Sequence, residues 1–171
     1  LMATHQRDAQ RLAERHLPRQ VGGLVPGDHA VADVGVEERG VLGGDVVLVF
    51  ADRACPGLDW AAEQGIDTVL VPGGDDTVLA ETLAAVEPDV VVLAGYLRLV
   101  GPAVLGAFGG RILNVHPSLL PSFPGLHGAR DALAAGVAVT GVTVHLVDAT
   151  LDGGPIVAQE AVPVLPGDTE D

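Results

Sequence analysis

From residue 45 onward, short apolar runs alternate with segments punctuated as helices, and few architectures accept that order. Val46, Val47, Leu48, Val49 and Phe50 form a continuous apolar run of the kind found in a parallel strand covered on both faces. A helix over 56–64 follows, with Pro56 in its first turn and Gly65 at its end, and then a short strand over 68–71. Asp75 or Asp76 caps a second helix over 76–86, which stops before Pro88, and residues 90–94 read as a central buried strand. The rest of the chain gives a short helix over 102–108, a strand over 111–115, a Pro-rich loop, a helix over 127–135, and strands over 139–147 and 156–164. This succession predicts a three-layer α/β domain with a mostly parallel sheet, whose ligands bind at the carboxyl ends of the strands.

Composition narrows the function classes. Apolar residues make up 48% of the chain but aromatics only 3%, so the core is built from Val, Leu and Ala. At 171 residues the chain has the size of one α/β domain. Its net charge of −14 argues against a nucleic-acid partner, which needs a cationic face to displace counterions. No apolar run approaches a membrane span and nothing resembles a signal peptide, so the expectation is a cytoplasmic protein with no membrane contact. Cys55 is the only cysteine, which leaves no internal disulfide or cysteine cluster for zinc, and a packing role suits it better than a nucleophilic one. The chain has no lysine, so Schiff-base and lysine-dependent phosphate chemistry are excluded and proton transfer falls to His, Asp or Glu.

Two regions break the pattern. Residues 1–44 show no convincing strand followed by a glycine-rich turn, and are read as an unassigned N-terminal segment, a linker, mis-framed or disordered, ahead of a domain over 45–171. Residues 166–171 read as the entry to a helix that does not follow, which suggests truncation at the C-terminus.

The chemistry is expected around residue 114. Asn114 and His116 lie two apart at the end of a strand, so their side chains share a face at its carboxyl edge. An amide can donate to a carbonyl oxygen as it becomes an oxyanion, and an imidazole with an unperturbed pKa of ~6.5 can shuttle a proton. Pro117, Pro121 and Pro124 stop the strand and stiffen the following loop. Further on, Leu151, Asp152, Gly153, Gly154 and Pro155 form a turn whose carboxylate could sit beside the imidazole, although an ordinary surface turn has the same composition.

The stretch Asn114-Val-His-Pro-Ser-Leu-Leu-Pro-Ser-Phe-Pro-Gly125, followed by Leu151-Asp-Gly-Gly-Pro155, resembles the signature of the folate-dependent glycinamide ribonucleotide formyltransferases. A looser likeness runs from Val46 to Asp171 and includes Ala94-Gly-Tyr-Leu-Arg-Leu-Val100. The resemblance implies a Rossmann-like formyltransferase fold and formyl transfer from 10-formyltetrahydrofolate to the amine of glycinamide ribonucleotide, with small-molecule substrates and no metal. It implies that His116 moves the proton, that Asn114 contacts the formyl oxygen, and that Asp152 raises the pKa of His116. Leu97, Arg98, Leu99 and Val100 would line the pterin site, with Asp148 also against the folate. Thr143 and His145 match positions that support the carboxylate, and His127 falls on the rim.

The chain departs from that family in two places. The family's first strand and its glycine-rich phosphate loop are not recognisable, since Gly22-Gly23 and Gly43-Gly44 qualify only by composition. Its C-terminal helices are missing too, and the sheet face left uncovered leaves room for a homodimer. The rivals are a formyltetrahydrofolate deformylase, with water as acceptor, and a catalytically impaired folate-binding remnant. A methionyl-tRNA formyltransferase ranks third, because it would want a basic surface.

Overall fold

The computed structural model describes residues 20–24, as backbone, and 44–170. Seven strands form one sheet in the order β3-β2-β1-β4-β5-β6-β7. They are β1 (Gln20–Leu24), β2 (Asp45–Ala51), β3 (Thr68–Leu70), β4 (Val90–Ala94), β5 (Ile112–His116), β6 (Val139–Leu146) and β7 (Ile156–Pro163). The pairs from β3 to β5 are all parallel, whereas β5–β6 and β6–β7 are antiparallel. Among the described residues four α-helices connect the strands: α1 (Pro56–Glu63), α2 (Asp76–Val86), α3 (Pro102–Phe108) and α4 (Gly128–Ala134). No helix among the described residues is long and apolar enough to cross a membrane.

The expectation of a chain lacking its first strand needs correction. Gln20–Leu24 lies in the middle of the sheet, parallel to β2 on one side and to β4 on the other. Gly22 and Gly23 break the apolar run there, so neither period nor side-chain volume advertised a strand. The same two glycines, weighed above as a phosphate loop, are strand residues, and the register with β2 shifts between Val21 and Gly22. Any loop that follows β1 falls in residues 25–43, outside those described, as does Gly43.

Alternate residues of the strands feed two apolar clusters. Val91 and Leu93 of β4 and Ile112 of β5 join Leu48 to Ala51 of β2, Ala61 of α1, Leu79 and Leu83 of α2, and Val104 and Phe108 of α3. Val90, Leu113 and Val115 point the other way, to Val142 and Val144 of β6. This two-sided burial explains why the central strands read as unbroken apolar runs.

Helix ends follow local chemistry. Gly65 just past α1 adopts a φ of 72°, the left-handed conformation that closes a helix. Asp75 caps α2, accepting from the backbone N–H of Thr77 and of Val78, each at 3.0 Å. Its neighbour Asp76 reaches across to α3 and accepts from Ala103 N at 2.7 Å and Val104 N at 3.3 Å, so one helix caps the next. Asp75→Ala should lower the unfolding free energy by about 1 kcal/mol, seen as a lower urea midpoint at unchanged slope. An unmoved midpoint would show that the cap contributes nothing to stability.

Candidate active site

β5 carries its chemistry at its carboxyl end. Asn114 and His116 lie on the face that begins with Ile112 of the larger apolar cluster, so this face runs from dry core to polar mouth. The antiparallel register sets His145 of β6 opposite Asn114, and Thr143 opposite His116. His116 and His145 are 3% and 2% exposed, and Thr143 and Ser118 are fully buried. Polar groups buried this deeply require partners, and the partners define the site.

Asp152 comes from the connection between β6 and β7, where its φ of 48° is the left-handed conformation. Its Oδ2 accepts from Gly125 N at 2.7 Å and lies 3.5 Å from His116 Nδ1. Its Oδ1 lies 3.6 Å from His145 Nε2. One carboxylate thus faces two imidazoles at ion-pair distance and is fixed by a backbone amide. The structure brings Asn114, His116, His145 and Asp152 into a single group.

The hydrogen bonds also fix which nitrogen carries a proton. His116 Nε2 lies 2.8 Å from the Phe123 carbonyl oxygen, which can only accept, so Nε2 bears the hydrogen and Nδ1 turns toward Asp152. His145 Nδ1 likewise donates to Leu146 O at 3.0 Å. In its neutral form that ring accepts at Nε2 from Asn114 Nδ2, 3.1 Å away, which orients the amide and leaves its second N–H for another acceptor.

Three residues that sequence reasoning missed, Ser118, Gln159 and Gly128, hold this geometry. Thr143 Oγ1 donates to Ser118 O at 2.7 Å and accepts from Leu120 N at 3.0 Å, pinning the Pro-rich loop to β6. Gln159, the neighbour of Thr143 on β7, donates to Thr143 Oγ1 at 3.0 Å and to Leu120 O at 2.8 Å. Ser118 Oγ donates to Ser122 O at 2.6 Å and reaches Phe123 O at 3.2 Å, which places the carbonyl that receives His116. At Gly128, the first residue of α4, a Cβ would lie 2.8 Å from His116 Nε2, so only glycine lets the helix start against the ring. An amide on an exposed-looking strand gives no signal until the register is known. A glycine opening a helix reads as punctuation.

The remaining expected residues fall nearby. Leu97, Arg98, Leu99 and Val100 follow β4, which pairs in parallel with β5, so they share its carboxyl edge. Leu97 and Leu99 are 62% and 75% exposed, while Arg98 Nε donates to Asp52 Oδ2 at 2.7 Å. Asp148 accepts from the hydroxyl and the backbone N–H of Thr150, which hold its carboxyl below the usual carboxylate range. Its hydrogen bonds therefore go to its own turn. His127 is exposed and precedes α4 without a side-chain cap. Among the described residues no group of three or more His, Cys, Asp or Glu is arranged to hold a metal ion.

An amide donor, two buried imidazoles and a shared carboxylate can steady a developing oxyanion and relay a proton between neighbouring atoms. Residues 38–171 match the family described as "Formyl transferase". The chain is 53% identical over 133 residues to a phosphoribosylglycinamide formyltransferase of Mycobacterium tuberculosis, covering 74% of this chain and 62% of that protein. It is 44% identical over 136 residues to the Escherichia coli enzyme of the same name, covering 75% and 64%. The chain thus spans less than two thirds of the length of these relatives. A solved glycinamide ribonucleotide transformylase 1 from Symbiobacterium toebii superposes with a TM-score of 0.79 at 46% identity, over 88% of this chain and 76% of that one. With the family match over residues 38–171 and the shared fold of the solved relative, the chain belongs to the formyl transferase family.

Proposed function

We propose that this chain transfers the formyl group of 10-formyltetrahydrofolate to the primary amine of glycinamide ribonucleotide. The observation that carries the reading is the convergence of Asn114, His116 and Asp152 at the carboxyl edge of the sheet, in a family of formyl transferases. In the reaction the amine nitrogen bonds to the formyl carbon, the bond from that carbon to N10 breaks, and a proton passes from the amine to N10. The second N–H of Asn114 donates to the formyl oxygen as charge builds on it. His116 relays the proton, and the Asp152 carboxylate orients the ring and offsets its charge. His145 sets the amide of Asn114, and Thr143 and Gln159 set the loop above His116. Leu97, Leu99 and Val100 supply apolar surface for the pterin, with Arg98 and Asp148 beside it.

The test is to follow tetrahydrofolate release from 10-formyltetrahydrofolate with and without glycinamide ribonucleotide. Release that depends on the amine is expected. Release that ignores it would move the assignment to a deformylase, and no release in either case would leave a folate-binding remnant.

His116→Ala should cut kcat by about 10²- to 10⁴-fold while folate binding, followed by calorimetry, stays near wild type. Turnover at the wild-type rate would remove His116 from the mechanism. Gln159→Leu frees Leu120 O and one acceptor position of Thr143, so kcat should fall about tenfold at unchanged KM. A change in KM alone would place Gln159 in substrate binding instead.

A further inference from the structure

Away from the histidines, a second polar arrangement ties the segment after β4 to the far half of the sheet. Asp52 follows the last residue of β2, and its carboxylate receives Arg98 Nε at 2.7 Å. Its backbone carbonyl accepts from Gly73 N at 3.1 Å, which holds the turn after β3 against the same point. Gly74 in that turn has a φ of 64°, and a Cβ there would meet Arg98 Cδ at 2.9 Å and the Tyr96 hydroxyl at 3.0 Å. The Arg98 stem and the Tyr96 ring thus pack onto bare backbone. Past Val100, Asp76 seizes the other end of the segment through the N–H groups of Ala103 and Val104, with Gly101 packed on its carboxylate.

Between these two anchors stand Leu97 and Leu99, the first 62% and the second 75% exposed, beside the mouth that holds His116. Large apolar side chains held in water at the edge of a polar site are costly unless a ligand covers them. The exposed ion pair adds little to stability by itself, because the Arg98 side chain is 51% exposed and screened by solvent. What the pair does is tie the middle of the segment 96–100 to the end of β2.

We propose that Asp52 is a positioning residue that, through Arg98, holds Leu97 and Leu99 in place against the flat ring system of the folate. This rests on the formyl-transfer reading above and deepens it. Asp52 touches no reacting atom, so it acts on binding of the folate and not on the chemical step.

The test uses the full chain with Asp52→Asn, Arg98→Gln and the double variant, assayed against 10-formyltetrahydrofolate. Asp52→Asn should raise KM for 10-formyltetrahydrofolate about tenfold with kcat within about twofold of wild type. The double variant should be no worse than the more impaired single one, because the two residues act through one contact. Tyr96 is the sole tyrosine and gives a readout that needs no ligand. Burial and then the Asp52 carboxylate push its phenol above the ordinary value, Arg98 opposes them, and Asp76 adds a smaller push upward. Loss of the Asp52 charge should therefore let the phenolate absorbance band appear at lower pH. A lowered tyrosine titration together with the KM effect supports the proposal. An unchanged KM overturns it, with or without the spectroscopic change, and so do additive effects in the double variant. If the wild-type chain itself transfers no formyl group, the reading in the preceding subsection fails first and takes this one with it. Wild-type transfer with an indifferent Asp52→Asn variant strikes the positioning role alone.

Discussion

The pairing of β5 with β6 is the constraint on which the site rests. One register brings Leu113 against Leu146 and Val115 against Val144 on one face, and Asn114 against His145 and His116 against Thr143 on the other. A slip of β6 by one residue would turn its polar set, Thr143 and His145, toward the apolar cluster. That error is opposed by burial of Leu113, Val115, Val142 and Val144, at roughly 1.5–3 kcal/mol per large apolar side chain. The core therefore specifies the geometry of residues that contribute little to it. Polar groups that carry no register information of their own are aligned by apolar neighbours one position away.

Around that alignment the site is a closed set of hydrogen bonds. Each buried polar group in it answers to a backbone group or to another side chain: His116 to Phe123, His145 to Leu146 and Asn114, Thr143 to Ser118, Leu120 and Gln159. Such networks are rigid when fully satisfied and costly when one member is lost. The Asp152 carboxylate is placed by backbone geometry, through a left-handed residue and the Gly125 amide, and not by a charged partner alone.

Much of this was legible in the sequence, for reasons that differ by element. α2, β4 and α3 were bounded by Asp75, Pro88 and Pro102, residues whose chemistry stops or starts an element whatever its surroundings. Asn114 and His116 were readable because a two-residue spacing on a strand has a fixed meaning. β1 was not, because Gly22 and Gly23 carry no hydrophobic period and its strand identity comes entirely from the neighbours that receive its backbone. Gln159, Gly128 and Asp52 were missed for a related reason. Each meets a partner far away in the chain, and only the fold supplies the distance. Asp148 is named through the resemblance alone, and its hydrogen bonds go to Thr150 of its own turn.

Asp152 is carried by the β6–β7 hairpin, which depends on the rest of the sheet. Neighbouring antiparallel strands can meet quickly, whereas the parallel strands must first bring distant parts of the chain together. An isolated two-stranded hairpin is marginal in water, so this one persists only after β6 docks on β5. Docking is the same step that sets His145 beside Asn114. One packing event thus organises both the hairpin that carries the carboxylate and the two imidazoles that the carboxylate faces.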